Sequence, residues 1–292
     1  MKYYLETNSL RILSNSLNEY SNLAFTSAYS MLELIASIDR DFAVRKKVVE
    51  NVFKNISIDW KLPEQYINES FKVIQFIENR ISDLKRLCEI LIISDTYEEY
   101  LLKLNRSKLE HDLNYFKELK QSISKNFIET TNIGNTKIKD IIREGGYYPE
   151  LKLADNRNPT KKEILDFIQI ENKNYNEGMT LFAIVKNIAK TISKGEIDHD
   201  EAKEIYESHD SSIHFFIEAF SYYCIMKMNQ GGLPDRNDPH DLYHLVYLKN
   251  DPNLFIVTND NLLLNLNSQL WTDKDMVVKT SEFSKIVNPG CS

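Results

Sequence analysis

Four acidic residues stand where an α/β sheet would present a ligand site. They are Glu6, Glu33, Asp241 and Asp260. Glu6 follows a short apolar and aromatic run at 2–5, and Asp260 follows the β-branched run LFIVT at 254–258. Because open α/β sheets bind ligands at the carboxyl ends of their strands, we expect both carboxylates at that edge. Clustered carboxylates repel one another unless a divalent cation lies between them, as in Mg²⁺ or Mn²⁺ phosphodiesterase sites.

The other two acids lie in sequences that are typical of helices. Glu33, in SAYSMLELIASI, is on the face opposite the apolar stripe, and such a face is usually solvated. Asp241 shares a helical stripe with Leu245 and Leu248, and a carboxylate on a core-facing stripe requires a compensating partner. A structural interpretation stays open for this segment, with Asp238 as the helix N-cap and Asp241 as a first-turn acid.

Glu6 and Asp260 also have structural interpretations that stay open. Glu6 is then only the polar end of a strand. Asp260 is then an Asx turn or the N-cap of the segment 262–266.

The elements that must position these acids differ between the ends of the chain and its middle. Apolar runs at 2–5, 23–26, 254–258 and 276–279 predict buried parallel strands. Between about 63 and 228 the apolar residues recur with a period of 3.6 residues, which predicts helices. Because the 292 residues include only eight Gly and seven Pro, turns are few and long helices are favoured. We therefore predict an α/β protein with a parallel sheet and a large all-α insertion.

Four short blocks resemble those of PIN-domain nucleases: YYLETNSL, SMLEL, DLYHLVYL and FIVTND. The resemblance implies a Rossmann-like three-layer domain formed by residues 1–58 and 206–292 and split by a helical insertion at 59–205. The sequence departs from the family pattern at Glu6, where Asp is usual, and in the length of the insertion.

The resemblance also implies an activity, which is metal-dependent endonucleolytic hydrolysis of phosphodiester bonds, with RNA favoured over DNA. The residues implied to bind Mg²⁺ or Mn²⁺ and activate water are Glu6, Glu33, Asp241 and Asp260. The implied supporting residues are Asn8, Asp238 and Thr258. A toxin, a defence effector and an RNA-processing enzyme all fit this chemistry.

Net charge and cysteine content limit the partners and the compartment. A net charge of −7 provides no general attraction for nucleic acid or anionic membranes, so a polyanion would need a local basic patch. Candidates are Arg45-Lys46-Lys47, Lys85-Arg86 and Lys161-Lys162. Three separated cysteines and no signal or membrane-spanning sequence indicate a cytoplasmic protein without a membrane partner. The insertion is expected to contact a partner or form a homodimer.

Three other functions compete with a nuclease. HDLYH has the spacing of a zinc helix, although an exposed first-turn His240 and a helix-flank His244 explain it more simply. The His-Asp pairs at 199–200, 209–210 and 240–241 suggest an HD-type metal phosphohydrolase, whose helical fold leaves the strands unexplained. A non-catalytic helical interaction module on a degenerate α/β domain is the third. No Gly-rich phosphate loop is present, so a nucleotide cofactor is not implied.

Overall fold

A five-stranded, all-parallel sheet forms the centre of the chain. The computed structural model describes residues 1–73, 80–125, 199–230, 235–271 and 275–287, with isolated positions between 160 and 188. The strands are β1 (Lys2–Leu5), β2 (Ala24–Ser27), β3 (Ser57–Asp59), β4 (Leu254–Thr258) and β5 (Val277–Lys279). Their order is β3-β2-β1-β4-β5. The prediction of a mixed α/β protein with a parallel sheet is confirmed.

β1 and β4 lie side by side at the point where the strand order reverses direction. Their register pairs Leu5 with Val257, so the residues that follow them leave the same edge of the sheet. In open α/β sheets, the crevice outside the carboxyl ends at such a reversal is the usual ligand site. The fold thus creates a crevice where Glu6 and Asp260 emerge.

Helices and short 3₁₀ turns connect the strands. The α-helices are α1 (Thr7–Leu13), α2 (Ala28–Ala36), α3 (Phe42–Asn55), α4 (Pro63–Ser70), α5 (Ile81–Ile92), α6 (Tyr97–Arg106), α7 (110–125), α8 (His199–Glu207), α9 (His214–Gln230), α10 (Asp238–Tyr243), α11 (Asn261–Leu270) and α12 (Thr280–Val287). The 3₁₀ turns are Ser14–Tyr20, Ile38–Arg40 and His244–Leu248. None of the helices in the described ranges is both long enough and apolar enough to cross a membrane.

Apolar side chains cover both faces of the sheet. Tyr3 and Leu5 point into one core and Tyr4 into the other, as the two-residue period of a strand requires. The first core is completed by α1, α2, α3, α5, α6 and α7, and the second by α9, α11 and the turn His244–Leu248. Helices therefore pack on both sides, in three layers.

The helices of the predicted insertion share the core of the sheet. Leu84, Tyr100 and Phe116 are fully buried in the same cluster as Tyr3. The boundaries at 58 and 205 remain predictions, although β3 extends to Asp59. The apolar stripe predicted to run from 67 to 88 is divided between two helices, since α4 ends at Ser70 and α5 begins at Ile81.

Candidate functional site at the carboxyl ends of β1 and β4

Glu6 directly follows β1 and is the N-cap of α1. Its Oε2 accepts a hydrogen bond from the backbone N–H of Asn8 at 2.5 Å, and its Oε1 accepts one from the N–H of Ser9 at 2.9 Å. Only 4% of Glu6 is exposed, and burial raises the pKa of its carboxyl above the usual value. Both carboxylate oxygens are therefore engaged by the first turn of its own helix.

Ser9 joins the ends of the central strands. Its Oγ lies 2.6 Å from the carbonyl oxygen of Val257, 3.1 Å from Glu6 Oε1 and 3.1 Å from Thr280 Oγ1. These groups belong to the ends of β1 and β4 and to the residue after β5. Glu6 is consequently fixed against β4 by hydrogen bonds as well as by strand pairing.

Asp260 caps α11 directly after β4. Its Oδ1 accepts hydrogen bonds from the N–H groups of Leu262 at 2.8 Å and Leu263 at 3.2 Å. The buried Thr258 accepts one from the N–H of Asp260 at 2.8 Å, which holds the turn. The capping interpretation of Asp260 is confirmed. Its Oδ2 accepts no hydrogen bond from the described part of the chain.

Glu33 is buried, so the prediction of a solvated helix face at this position is wrong. Only 8% of it is exposed, because α7 and the turn after α10 cover this face of α2. Its Oε2 accepts a hydrogen bond from Thr7 Oγ1 at 2.5 Å and lies 3.0 Å from His244 Nε2, and Lys120 Nζ lies 3.5 Å from its Oε1. Burial alone would raise the pKa of Glu33, but His244 and Lys120 outweigh burial and hold that pKa below its usual value.

Both histidines of HDLYH are buried and hydrogen-bonded, so the prediction of an exposed His240 is wrong. Nδ1 of His240 contacts the hydroxyl of Tyr29 at 2.6 Å, and its Nε2 contacts Ser124 Oγ at 2.9 Å. Nδ1 of His244 lies 2.5 Å from the hydroxyl of Tyr4, while its Nε2 faces Glu33. Protein groups use all four ring nitrogens, and this argues against a zinc helix.

Asp241 lies half-buried on α10. Burial, together with the negative charges of Asp260, Glu33 and Glu6, raises the pKa of its carboxyl from 3.8 to about 9. Its side chain accepts no hydrogen bond from any group in the described ranges. After burial, the charges of Asp260, Glu33 and Glu6 are thus the next causes of the raised pKa of Asp241.

The three supporting residues have different surroundings. Asp238 does not cap α10, whose N-cap is Asn237. Its carboxylate instead accepts a hydrogen bond from Tyr223 and lies 3.2 Å from Lys227 Nζ, because α9 packs beside it. Asn8 is exposed and contributes its backbone N–H to Glu6, and Thr258 supports the turn at Asp260.

The donor chemistry of the cluster fits a hard divalent cation. Carboxylate oxygens are the ligands that Mg²⁺ and Mn²⁺ prefer. Asp241 and Asp260 each have carboxylate oxygen free of hydrogen bonds from the described residues. Within those residues, no three His, Cys, Asp or Glu side chains are arranged as a set of metal ligands. Asp241 and Asp260 thus offer carboxylate oxygen of the type that such a cation takes, while Glu6 and Glu33 are bonded to protein donors.

One member of each described basic cluster contacts a protein group. Arg45 donates hydrogen bonds to the carbonyls of Glu33 and Leu34, both at 3.2 Å. Lys85 lies 4.7 Å from the ring centre of Trp60. The pair at 161–162, like Cys291, lies outside the described residues.

The partners of Glu33 were missed by the sequence analysis. Thr7, Lys120 and His244 converge on Glu33 from three separate segments, so no local pattern could have indicated them. The motif HDLYH did contain a signal that His244 has a polar partner, because this second histidine lies on the apolar face of the helix.

Comparisons of the chain with known protein families, with curated proteins and with solved structures found no match. Functional inference therefore depends on the geometry and chemistry of the residues described above.

Proposed function

We propose that the protein is a metal-dependent endonuclease of the PIN-domain class that hydrolyses phosphodiester bonds, with RNA favoured over DNA. Mg²⁺ or Mn²⁺ is held at the carboxyl ends of β1 and β4. The active site consists of Glu6, Glu33, Asp241 and Asp260.

One observation carries this proposal. Glu6 and Asp260 emerge from neighbouring central strands at the reversal of strand order, with Leu5 paired to Val257 in register. Asp241 lies near enough for both carboxylates to affect its titration. A half-buried cluster of like charges is costly unless a cation or a proton neutralises it.

The acids have different roles in this proposal. Asp241 and Asp260 would hold the cation, because each has free carboxylate oxygen. When bound, the cation lowers the pKa of a water molecule and neutralises charge on the phosphate. Glu33 is kept ionised by His244 and Lys120 and so adds negative charge beside that position. Glu6 fixes the turn between β1 and α1 and contributes charge.

The decisive experiment is cleavage of labelled single-stranded RNA, structured RNA and DNA with Mg²⁺ or Mn²⁺. Wild type is compared with the double variant Asp241→Asn, Asp260→Asn, in which Asn preserves the cap at 260. A matched control, Glu89→Gln with Glu204→Gln, removes two charges from exposed helix positions. We expect metal-dependent cleavage by wild type and control and its loss in the double variant, because both proposed holders of the cation have lost their charge. Equal cleavage by all three proteins would refute the site.

A non-catalytic interaction module is the second candidate, and one observation favours it. Both oxygens of Glu6 and Oε2 of Glu33 already accept hydrogen bonds from protein donors. Such saturation is typical of structural carboxylates. Titration of the wild type with Mn²⁺, followed by calorimetry, separates the candidates, since a module without catalysis requires no cation at Asp241 and Asp260.

A further inference from the structure

A groove opens beside the carboxylate cluster, between three segments of the chain. It encloses about 730 Å³ of empty space, part of it open to solvent. Its walls are the end of α2 with the 3₁₀ turn after it, one face of α7, and the residues that lead into α10. The charged and titratable residues of these walls are Asp39, Arg40, Lys117, Lys120, Arg236 and His240.

The groove is basic although the protein is acidic. Among the described residues, four cationic side chains and one carboxylate, that of Asp39, line it, in a chain whose net charge is −7. Lys117 Nζ lies 3.5 Å from Asp39, which neutralises it in part. Arg40 and Arg236 are exposed and form no ion pair with a described residue. Their charges remain available to an anion, and a local patch of this kind attracts polyanions against the net charge.

The groove and the carboxylate cluster share residues. Lys120 lines the groove while its Nζ lies 3.5 Å from Glu33 Oε1. His240 lines the groove one residue before Asp241. An anion in the groove would therefore lie beside Lys120, which is itself the ion-pair partner of Glu33.

We propose that this groove binds the phosphate backbone of a single-stranded polynucleotide beside the carboxylate cluster, at the Lys120 side of Glu33. Arg40 and Arg236 contact phosphates, and Lys120 bridges the strand and Glu33. The inference extends the proposed function by placing its substrate. Contacts to phosphate carry little sequence information, so the groove orients the strand without selecting its sequence.

Binding of labelled single-stranded RNA, measured by fluorescence anisotropy in EDTA at several salt concentrations, tests this inference. The variant Arg40→Gln, Arg236→Gln removes two charges from the groove. The control Lys54→Gln, Lys285→Gln removes two charges from the last turns of α3 and α12, and neither residue lines the groove. We expect the groove variant to bind at least tenfold more weakly at low salt, with the slope of log K against log salt reduced by about 1.4, or about 0.7 per lost phosphate contact.

The control should bind like the wild type, and circular dichroism should show that both variants are folded. Equal weakening of both variants, no weakening of the groove variant, or no binding by wild type would each overturn the inference. Because EDTA removes divalent cations, the result does not depend on cleavage. The variant Asp241→Asn, Asp260→Asn should bind RNA at least as tightly as wild type even if the nuclease proposal fails, since it loses only negative charge.

Discussion

Glu33 and His244 lie 211 positions apart in the sequence, yet a buried contact of 3.0 Å joins Oε2 of one to Nε2 of the other. The remaining ring nitrogen of His244 contacts Tyr4 at 2.5 Å. Strand β1, helix α2 and the turn after α10 are thereby connected through one imidazole. The connection holds the charge of Glu33 beside the crevice, so it bears on stability as well as on the proposed chemistry.

Replacing His244 by Leu should destabilise the protein strongly. The side chain is nearly the same size, but the carboxylate of Glu33 loses its main partner while it stays buried. Removing one partner of a buried pair costs about 3–5 kcal/mol, which urea unfolding would measure. The double variant Glu33→Leu, His244→Leu should regain part of this loss, because no buried charge is then left unpaired. A loss below about 1 kcal/mol for His244→Leu would show that water or Lys120 compensates Glu33.

The low pKa of His240 predicts that the protein loses stability in mild acid. Burial lowers the pKa of His240 from 6.5 to about 4. The unfolded chain therefore binds a proton at this residue between about pH 6.5 and pH 4 that the folded chain does not bind, and stability falls as the pH drops through that window. The shift corresponds to about 3 kcal/mol when fully expressed. Urea unfolding of His240→Gln across the same range should show a shallower decline, and parallel curves would contradict this origin.

The strands could be predicted because each is short, apolar and followed at once by polar residues. Lys2–Leu5 and Leu254–Thr258 have the predicted bounds. The strand predicted at 23–26 lies one residue later, at Ala24–Ser27, and the strand predicted at 276–279 begins one residue later, at Val277. β3 was not predicted, since Ser57–Asp59 contains one apolar residue and is recognised only through its pairing with β2. Strand signals are local, whereas the pairing of an edge strand is tertiary.

The same distinction between local and tertiary signals explains which features of the site could be predicted from the sequence. Glu6 and Asp260 could be placed from the sequence because each directly follows a strand. The burial of Glu33 and His240 could not, because their partners Thr7, Tyr29 and Ser124 lie in other elements. Helical periodicity indicates which face of a helix is apolar, but it does not show that a second helix covers the polar face with matching hydrogen-bond partners.

Asp260 allows the structural role of a site residue to be separated from its proposed chemistry. Asp260→Ala removes the N-cap of α11 and should lower the free energy of unfolding by about 1 kcal/mol. Asp260→Asn keeps an acceptor for the N–H groups of Leu262 and Leu263, so its stability should stay within about 0.5 kcal/mol of wild type. If the nuclease proposal holds, both variants lose metal-dependent cleavage to a similar extent. Cleavage that persists in Asp260→Asn and falls only in Asp260→Ala would assign this residue to the fold alone.

Asp241→Asn should stabilise the protein when divalent cations are removed. The folded pKa of Asp241 is about 9 and its ordinary value is 3.8, so the folded chain retains a proton that the unfolded chain loses, and wild-type stability falls as the pH rises between these values. Asn has no proton to lose, so the advantage of the variant should grow from pH 5 to pH 8 and reach about 1–3 kcal/mol.

Thermal unfolding in EDTA at both pH values measures this difference. Adding Mn²⁺ should then stabilise wild type more than the variant, because a ligand that binds only the folded state raises its stability in proportion to the logarithm of its concentration. A variant that is less stable than wild type at pH 8 would mean that the carboxylate of Asp241 has a favourable partner, and the repulsive cluster on which the nuclease proposal depends would not exist.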